Sequence, residues 1–107
     1  MKSEVTLRPG SHLPYGWTQS CLRHVTAKIG SGVTPLGGAQ SYVTEGVKFI
    51  RSQNVHFNGL RFEDIAYVSE DTHRQMARTA VQPDDVLLNI TGASIGRCVW
   101  VSPDIGE

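Results

Sequence analysis

Val81-Gln82-Pro83-Asp84-Asp85-Val86-Leu87-Leu88-Asn89-Ile90-Thr91-Gly92-Ala93-Ser94-Ile95-Gly96-Arg97-Cys98-Val99-Trp100-Val101 is the stretch on which the reading of this chain turns. Two short apolar runs, Val86–Ile90 and Cys98–Val101, have the length of strands. Pro83-Asp84-Asp85 in front of them is turn chemistry, since proline presets φ and aspartate bonds its own backbone. Between the runs, Gly92 and Gly96 with the hydroxyls of Thr91 and Ser94 admit two readings. Backbone N–H groups there could cradle a phosphate. The segment has neither the spacing of a Walker loop nor that of a dinucleotide fingerprint, and no Lys-Ser or Lys-Thr follows the last glycine. The other reading is a strand-to-strand connection in which glycine permits positive φ and close approach. Spacing favours the connection.

Working outward, Ser69-Glu70-Asp71 opens a short helix through Met76–Thr79, with acidic residues in the first turn where the helix dipole favours them. Asn58-Gly59 marks a tight turn, so a strand follows near Leu60–Phe62 or Ile65–Val68. Val47–Arg51 reads as a strand. Residues 30–46, carrying Gly30, Gly32, Pro35, Gly37, Gly38 and Gly46, read as a loop long enough to be functional. Before it, Thr18 is placed to cap a helix whose apolar face holds Cys21, Leu22, Val25 and Ile29, and Gly30 to end it. Residues 1–12 form a flexible lead-in. The order of helix, strands, helix, strands predicts a small mixed α+β domain, with short helices packed on a twisted β-sheet.

A chain of 107 residues holds one such domain and one core. With 39% hydrophobic and 19% charged residues it belongs with ordinary folding chains rather than disordered ones. No apolar run approaches bilayer length, and Met1–Glu4 starts no signal-peptide pattern, so the expectation is cytoplasmic, with no membrane partner. Cys21 and Cys98 read as reduced thiols, and neither they nor His12, His24, His56 and His73 have the spacing of a metal site. Ten basic residues against ten acidic leave no net charge. A strong, free-standing nucleic-acid binder normally carries a basic excess, so any DNA contact requires cations gathered on one face or affinity supplied by partners.

Glu63-Asp64 with Asp84-Asp85 could serve acid–base work or magnesium, but no nucleophile or base accompanies them in a recognisable pattern. Ser20 and Ser94 make no triad with the scattered histidines. Lys48, Arg51, Gln53 and Asn54 cluster differently. Arginine reads guanine edges, asparagine and glutamine read adenine, and lysine holds phosphate. The same residues would equally suit a solvated strand end and polar turn. Arg61, Arg74, Arg78 and Arg97 extend a basic face only if the fold gathers them.

Several motifs occur together in a meaningful order. Leu13-Pro14-Tyr15-Gly16-Trp17 followed by Leu22 resembles the lPxGW…L opening of target recognition domains in type I restriction–modification specificity subunits. Gly30-Ser31-Gly32-Val33-Thr34-Pro35 is similar to that family's GxTP loop, and Gly46–Val55 to its G(I/V)xFIRxxNI strand and turn. Val81–Arg97 resembles xxxGDVLLxxxGxSIGR, with Asp84 standing where the family has glycine.

The resemblance implies a non-catalytic component with no cofactor of its own. Such a subunit reads double-stranded DNA, each of its two recognition domains reading one half of a split target. Its spacer helices carry adenine methyltransferase subunits, which use S-adenosylmethionine, and the restriction subunit. On this basis the DNA-binding candidates are Lys48, Arg51, Gln53, Asn54 and Arg97, with the Gly30–Pro35 loop beside them. A family member would continue past Ser102–Glu107, so residues 13–107 are expected to form a partial recognition domain. A Cys98–Val101 strand would then keep an unpaired apolar edge, open to a homodimer. The alternative expectation is a protein-interaction or regulatory module of a restriction complex without DNA affinity of its own.

Overall fold

In the computed structural model, which describes residues 12–106, the hydrophobic centre is made almost entirely of valine. Val55, Val68, Val99 and Val101 are buried together with Ala66. Three small antiparallel sheets supply all of these but Val101, which follows the last strand, and with the short helices they make a small mixed α+β domain. The β structure is divided among these sheets rather than gathered into one. The chain falls into two units, Met1–Ser31 and Gly32–Glu107, dividing the expected 13–107 domain inside the Gly30–Pro35 loop. The expected lead-in over residues 1–12 lies, apart from His12, outside the described residues.

Among its described residues the first unit contains one helical turn, α1 (Leu22–Val25), preceded by Cys21 and ended by Thr26 in extended conformation. The helix predicted from Thr18 to Gly30 is therefore corrected to a single turn. Its apolar stripe is exposed, with Leu22 at 62%, Val25 at 68% and Ile29 at 61%. A short helix without burial of its apolar face is marginal in water, and Thr26 turns its hydroxyl back onto the Leu22 carbonyl at 2.7 Å. Upstream, Trp17 N–H donates to the Pro14 carbonyl at 3.0 Å, closing a turn with Gly16 at φ +86°.

In the second unit the central sheet joins β1 (Tyr42–Val43), β2 (Val47–Phe49) and β5 (Ala66–Val68), with β5 in the middle. Tyr42 and Val47 both pair with Val68, and Phe49 pairs with Ala66. β1 falls within the stretch 30–46 read as a loop, directly after a 3-10 turn over Gly38–Ser41. Gly46 is required here for space, since a Cβ on it would lie 2.3 Å from the Val68 carbonyl oxygen.

β3 (Val55–His56) and β4 (Gly59–Leu60) form a hairpin through Phe57-Asn58, one residue earlier than the Asn58-Gly59 turn predicted, with Gly59 at φ +134° opening the return strand. α2 (Glu70–Gln75) starts where its cap signal lies, Ser69 Oγ accepting from Thr72 N–H at 3.1 Å, and runs on into a 3-10 turn over Ala77–Thr79.

Val81–Val101 folds as two strands, β6 (Val86–Leu88) and β7 (Cys98–Trp100), paired in register with Leu87 opposite Val99. β7 packs against the β3–β4 hairpin. The ladder extends backward, with Asp84 N–H donating to the Val101 carbonyl and Val101 N–H to the Asp85 carbonyl, each at 2.8 Å. Gln82–Asp85 is a turn closed by Asp85 N–H on the Gln82 carbonyl at 3.1 Å. Proline at its second position and φ +72° at its third follow the type II pattern. That third residue is Asp84, the one non-glycine among the described residues with positive φ.

Candidate nucleic-acid interface

Two loops carry the candidate DNA-binding residues beyond β2, and two buried asparagines organise them. Arg51-Ser52-Gln53-Asn54 leaves β2 through a 3-10 turn over Ser52–Asn54. Asn54 is fully buried there. Its Oδ1 accepts from Arg51 N–H at 2.8 Å, and its Nδ2 donates to the Arg61 carbonyl at 2.9 Å and to Asp64 Oδ1 at 3.1 Å. An amide spent in this way has no edge left for a base, so the expectation that Asn54 reads adenine is corrected. It staples the 51–54 turn to residues 61–64 instead.

Asn89 does the equivalent work for the second loop. Buried at the end of the β6 run, it donates through Nδ2 to the Ser52 carbonyl at 2.9 Å and to Ser94 Oγ at 3.1 Å. Its backbone extends the ladder, with N–H donating to the Arg97 carbonyl at 2.9 Å and the carbonyl accepting from Gly96 N–H at 2.8 Å. Thr91–Arg97 is thus a strand-to-strand connection, with Gly92 at φ +77° and Gly96 at φ +92° as that reading requires. Through Asn89 the loop is tied to Ser52, residues 37 apart in sequence. Sequence reasoning passed over Asn89 as part of an apolar run. The signal was available, because a polar residue inside such a run must have its hydrogen bonds met if buried.

Around this junction the remaining candidates differ in availability. Lys48 is exposed on β2, with Nζ 5.3 Å from the centre of the Phe62 ring. Gln53 is exposed, its Nε2 donating to Asp64 Oδ2. Arg51 is half-buried, its guanidinium 5.5 Å from the Tyr42 ring centre and its Nη2 donating to the Asp64 carbonyl at 2.5 Å. Its Nε is buried without a hydrogen-bond partner. Arg97, also half-buried, closes the second loop, its N–H donating to the Ser94 carbonyl at 3.1 Å. Asp64 is the hub that the sequence did not single out in this role, collecting Arg51, Gln53 and Asn54.

Two of the further arginines have local partners. Arg74 pairs with Asp71, and Arg61 reaches Asn58 Oδ1 at 3.5 Å. Of the carboxylates weighed for catalysis, Asp64, Asp84 and Asp85 have local partners. Asp84 Oδ1 accepts from the Trp100 indole at 3.1 Å and Asp85 Oδ2 from Gln82 N–H at 2.9 Å. Among the described residues no group of three His, Cys, Asp or Glu side chains could hold a metal ion. Nor is any helix among them long and apolar enough to cross a membrane.

Fold and junction together define a small α+β module that presents Lys48 from β2, and Gln53 with parts of Arg51 and Arg97 from two loops tied through Asn89. No family model, curated protein or solved structure matches this chain.

Proposed function

We propose that the chain is a non-enzymatic, cytoplasmic DNA-recognition module of a type I restriction–modification specificity subunit. In this role it directs an adenine methyltransferase subunit and a restriction subunit to one half of a split target. One observation carries the reading. In the motif that Val81–Arg97 resembles, the position of Asp84 belongs to glycine, and Asp84 is the one non-glycine described residue with positive φ. The backbone keeps a conformation for which glycine is the natural residue, which supports the resemblance.

Within this reading Lys48 contacts phosphate and Gln53 reads a base edge once its bond to exposed Asp64 opens. Arg51 and Arg97 contribute from partly covered positions. Asn54 belongs to the scaffold. Titration of random-sequence and selected duplexes by fluorescence anisotropy across a salt series tests this. Expected is binding that weakens with salt, with Lys48→Ala lowering the slope of log K against log salt by about 1. Gln53→Ala should relax preference at one base pair, at a cost of about 1–3 kcal/mol. Absence of any salt-dependent duplex binding overturns the proposal.

A second reading, the protein-interaction module, has an observation of its own. Val86, Leu88, Ile90 and Trp100 are all exposed along β6 and β7, whose sheet has only two strands. That surface and the open strand edges suit a partner subunit or a second copy of the chain. Co-purification with a methyltransferase subunit, or a dimer by light scattering, in the absence of DNA affinity would favour it.

A further inference from the structure

Where the β3–β4 hairpin meets β7, an open groove of about 370 Å³ is lined by Phe57, Asn58, Gly59, Val99, Trp100 and Ser102. Its volume falls in the range of about 300–1,000 Å³ typical of small-ligand sites. The two aromatic side chains are exposed, Phe57 at 76% and Trp100 at 57%. They do not stack on each other, the ring pair among the described residues being Tyr42 with Phe49. A lining that combines two aromatic rings with an amide and a hydroxyl suits a flat heterocycle that has polar edges.

Two further features bear on the site. The Trp100 indole is held by its Nε1 donating to Asp84 Oδ1 at 3.1 Å, from the residue that adopts a left-handed backbone. Asp84 therefore occupies a glycine-favouring conformation while orienting one wall of the groove. Strain of this kind persists where the surroundings enforce it, and it concentrates at functional positions. The second feature is charge. The Arg61 guanidinium, exposed, reaches Asn58 Oδ1 of the groove lining at 3.5 Å and so places a cation at its rim.

From these we infer that the groove takes a single unpaired nucleobase, its ring against Phe57 and Trp100, its edge toward Asn58 and Ser102, and its phosphate toward Arg61. Bases stack on aromatic side chains with little sequence preference, so the groove adds affinity for an unstacked nucleotide without reading it. The inference rests on the nucleic-acid reading above and is separable from it.

Trp17→Phe leaves Trp100 as the only tryptophan, so its emission reports on the groove. The probes are adenosine monophosphate, a short duplex with one unpaired adenine, and the same duplex fully paired. Expected is quenching of Trp100 by the first two and tighter binding of the bulged duplex than of the paired one. Phe57→Ala, a change at an exposed turn, should weaken the bulged duplex by roughly 5- to 150-fold while leaving the paired duplex unchanged. Unchanged Trp100 emission with every probe overturns the inference, as does equal weakening of both duplexes by Phe57→Ala. Paired-duplex binding without quenching retains the DNA reading and removes the groove. Quenching by the mononucleotide and bulged duplex without paired-duplex binding does the reverse.

Discussion

The segments 12–31 and 69–79 both carry a helix signal, yet they end differently. In 69–79 the signal is local and complete. Ser69 caps the first turn, Glu70 and Asp71 sit at the positive end of the dipole, and α2 forms where it is signalled. In 12–31 the signal is an apolar stripe, and a stripe stabilises a helix only when something covers it. Leu22, Val25 and Ile29 are exposed, and one turn remains. Caps act within the segment that carries them, whereas an amphipathic face depends on its surroundings. The second unit as a whole sides with α2. Its small valine core is supplemented by side-chain hydrogen bonds that close its loops, and those bonds are where it should be most vulnerable.

The largest effect expected is that of Asn54→Asp. It removes both donors that reach Arg61 and Asp64 and sets a buried carboxylate beside the Asp64 carboxylate. Urea denaturation should show a loss of about 3 kcal/mol or more, and a smaller loss would mean that water reaches this amide. Asn89→Ala should follow at about 1–3 kcal/mol. Its more telling mark is faster amide exchange in Thr91–Arg97 with exchange in α2 unchanged, because Ser52 and Ser94 lose their common partner.

Ser69→Ala should cost about 1 kcal/mol by removal of the cap. A negligible cost would contradict the claim that α2 is locally encoded. Asp84→Gly should gain about 0.5–1 kcal/mol, relief of left-handed strain outweighing loss of an exposed bond to Trp100. A net loss would show that the indole contact dominates. Smallest is Leu22→Gln, expected within about 0.5 kcal/mol of the unmodified chain in thermal melts. A loss above about 2 kcal/mol would show that the stripe is covered in solution and would erase the contrast between the segments.

For the candidate interface, what could be read from the chain and what could not divide along the same line. Lys48 and Gln53 are legible as polar positions at a strand end, and both are exposed. Asn54 has the same composition signal and the opposite placement, because burial depends on residues 61–64 folding back over it. The pairing of Gly92 and Gly96 with a tight connection followed from spacing, but nothing in the spacing tied that loop to Ser52. Phe57 and Trp100 are far apart in sequence, and neither suggests a groove until β7 packs on the β3–β4 hairpin.

The amino-acid order alone determined the mixed α+β class, the start of α2, the turn at Pro83–Asp85 and the paired strands on either side of Thr91–Arg97. All of these depend on backbone preference, capping and apolar spacing within a few residues. Tertiary structure alone decided which asparagines are buried, which arginines are half-buried and which aromatic rings line a common groove. Those outcomes depend on contacts between residues distant in sequence, where each polar group must find its partner once water is removed.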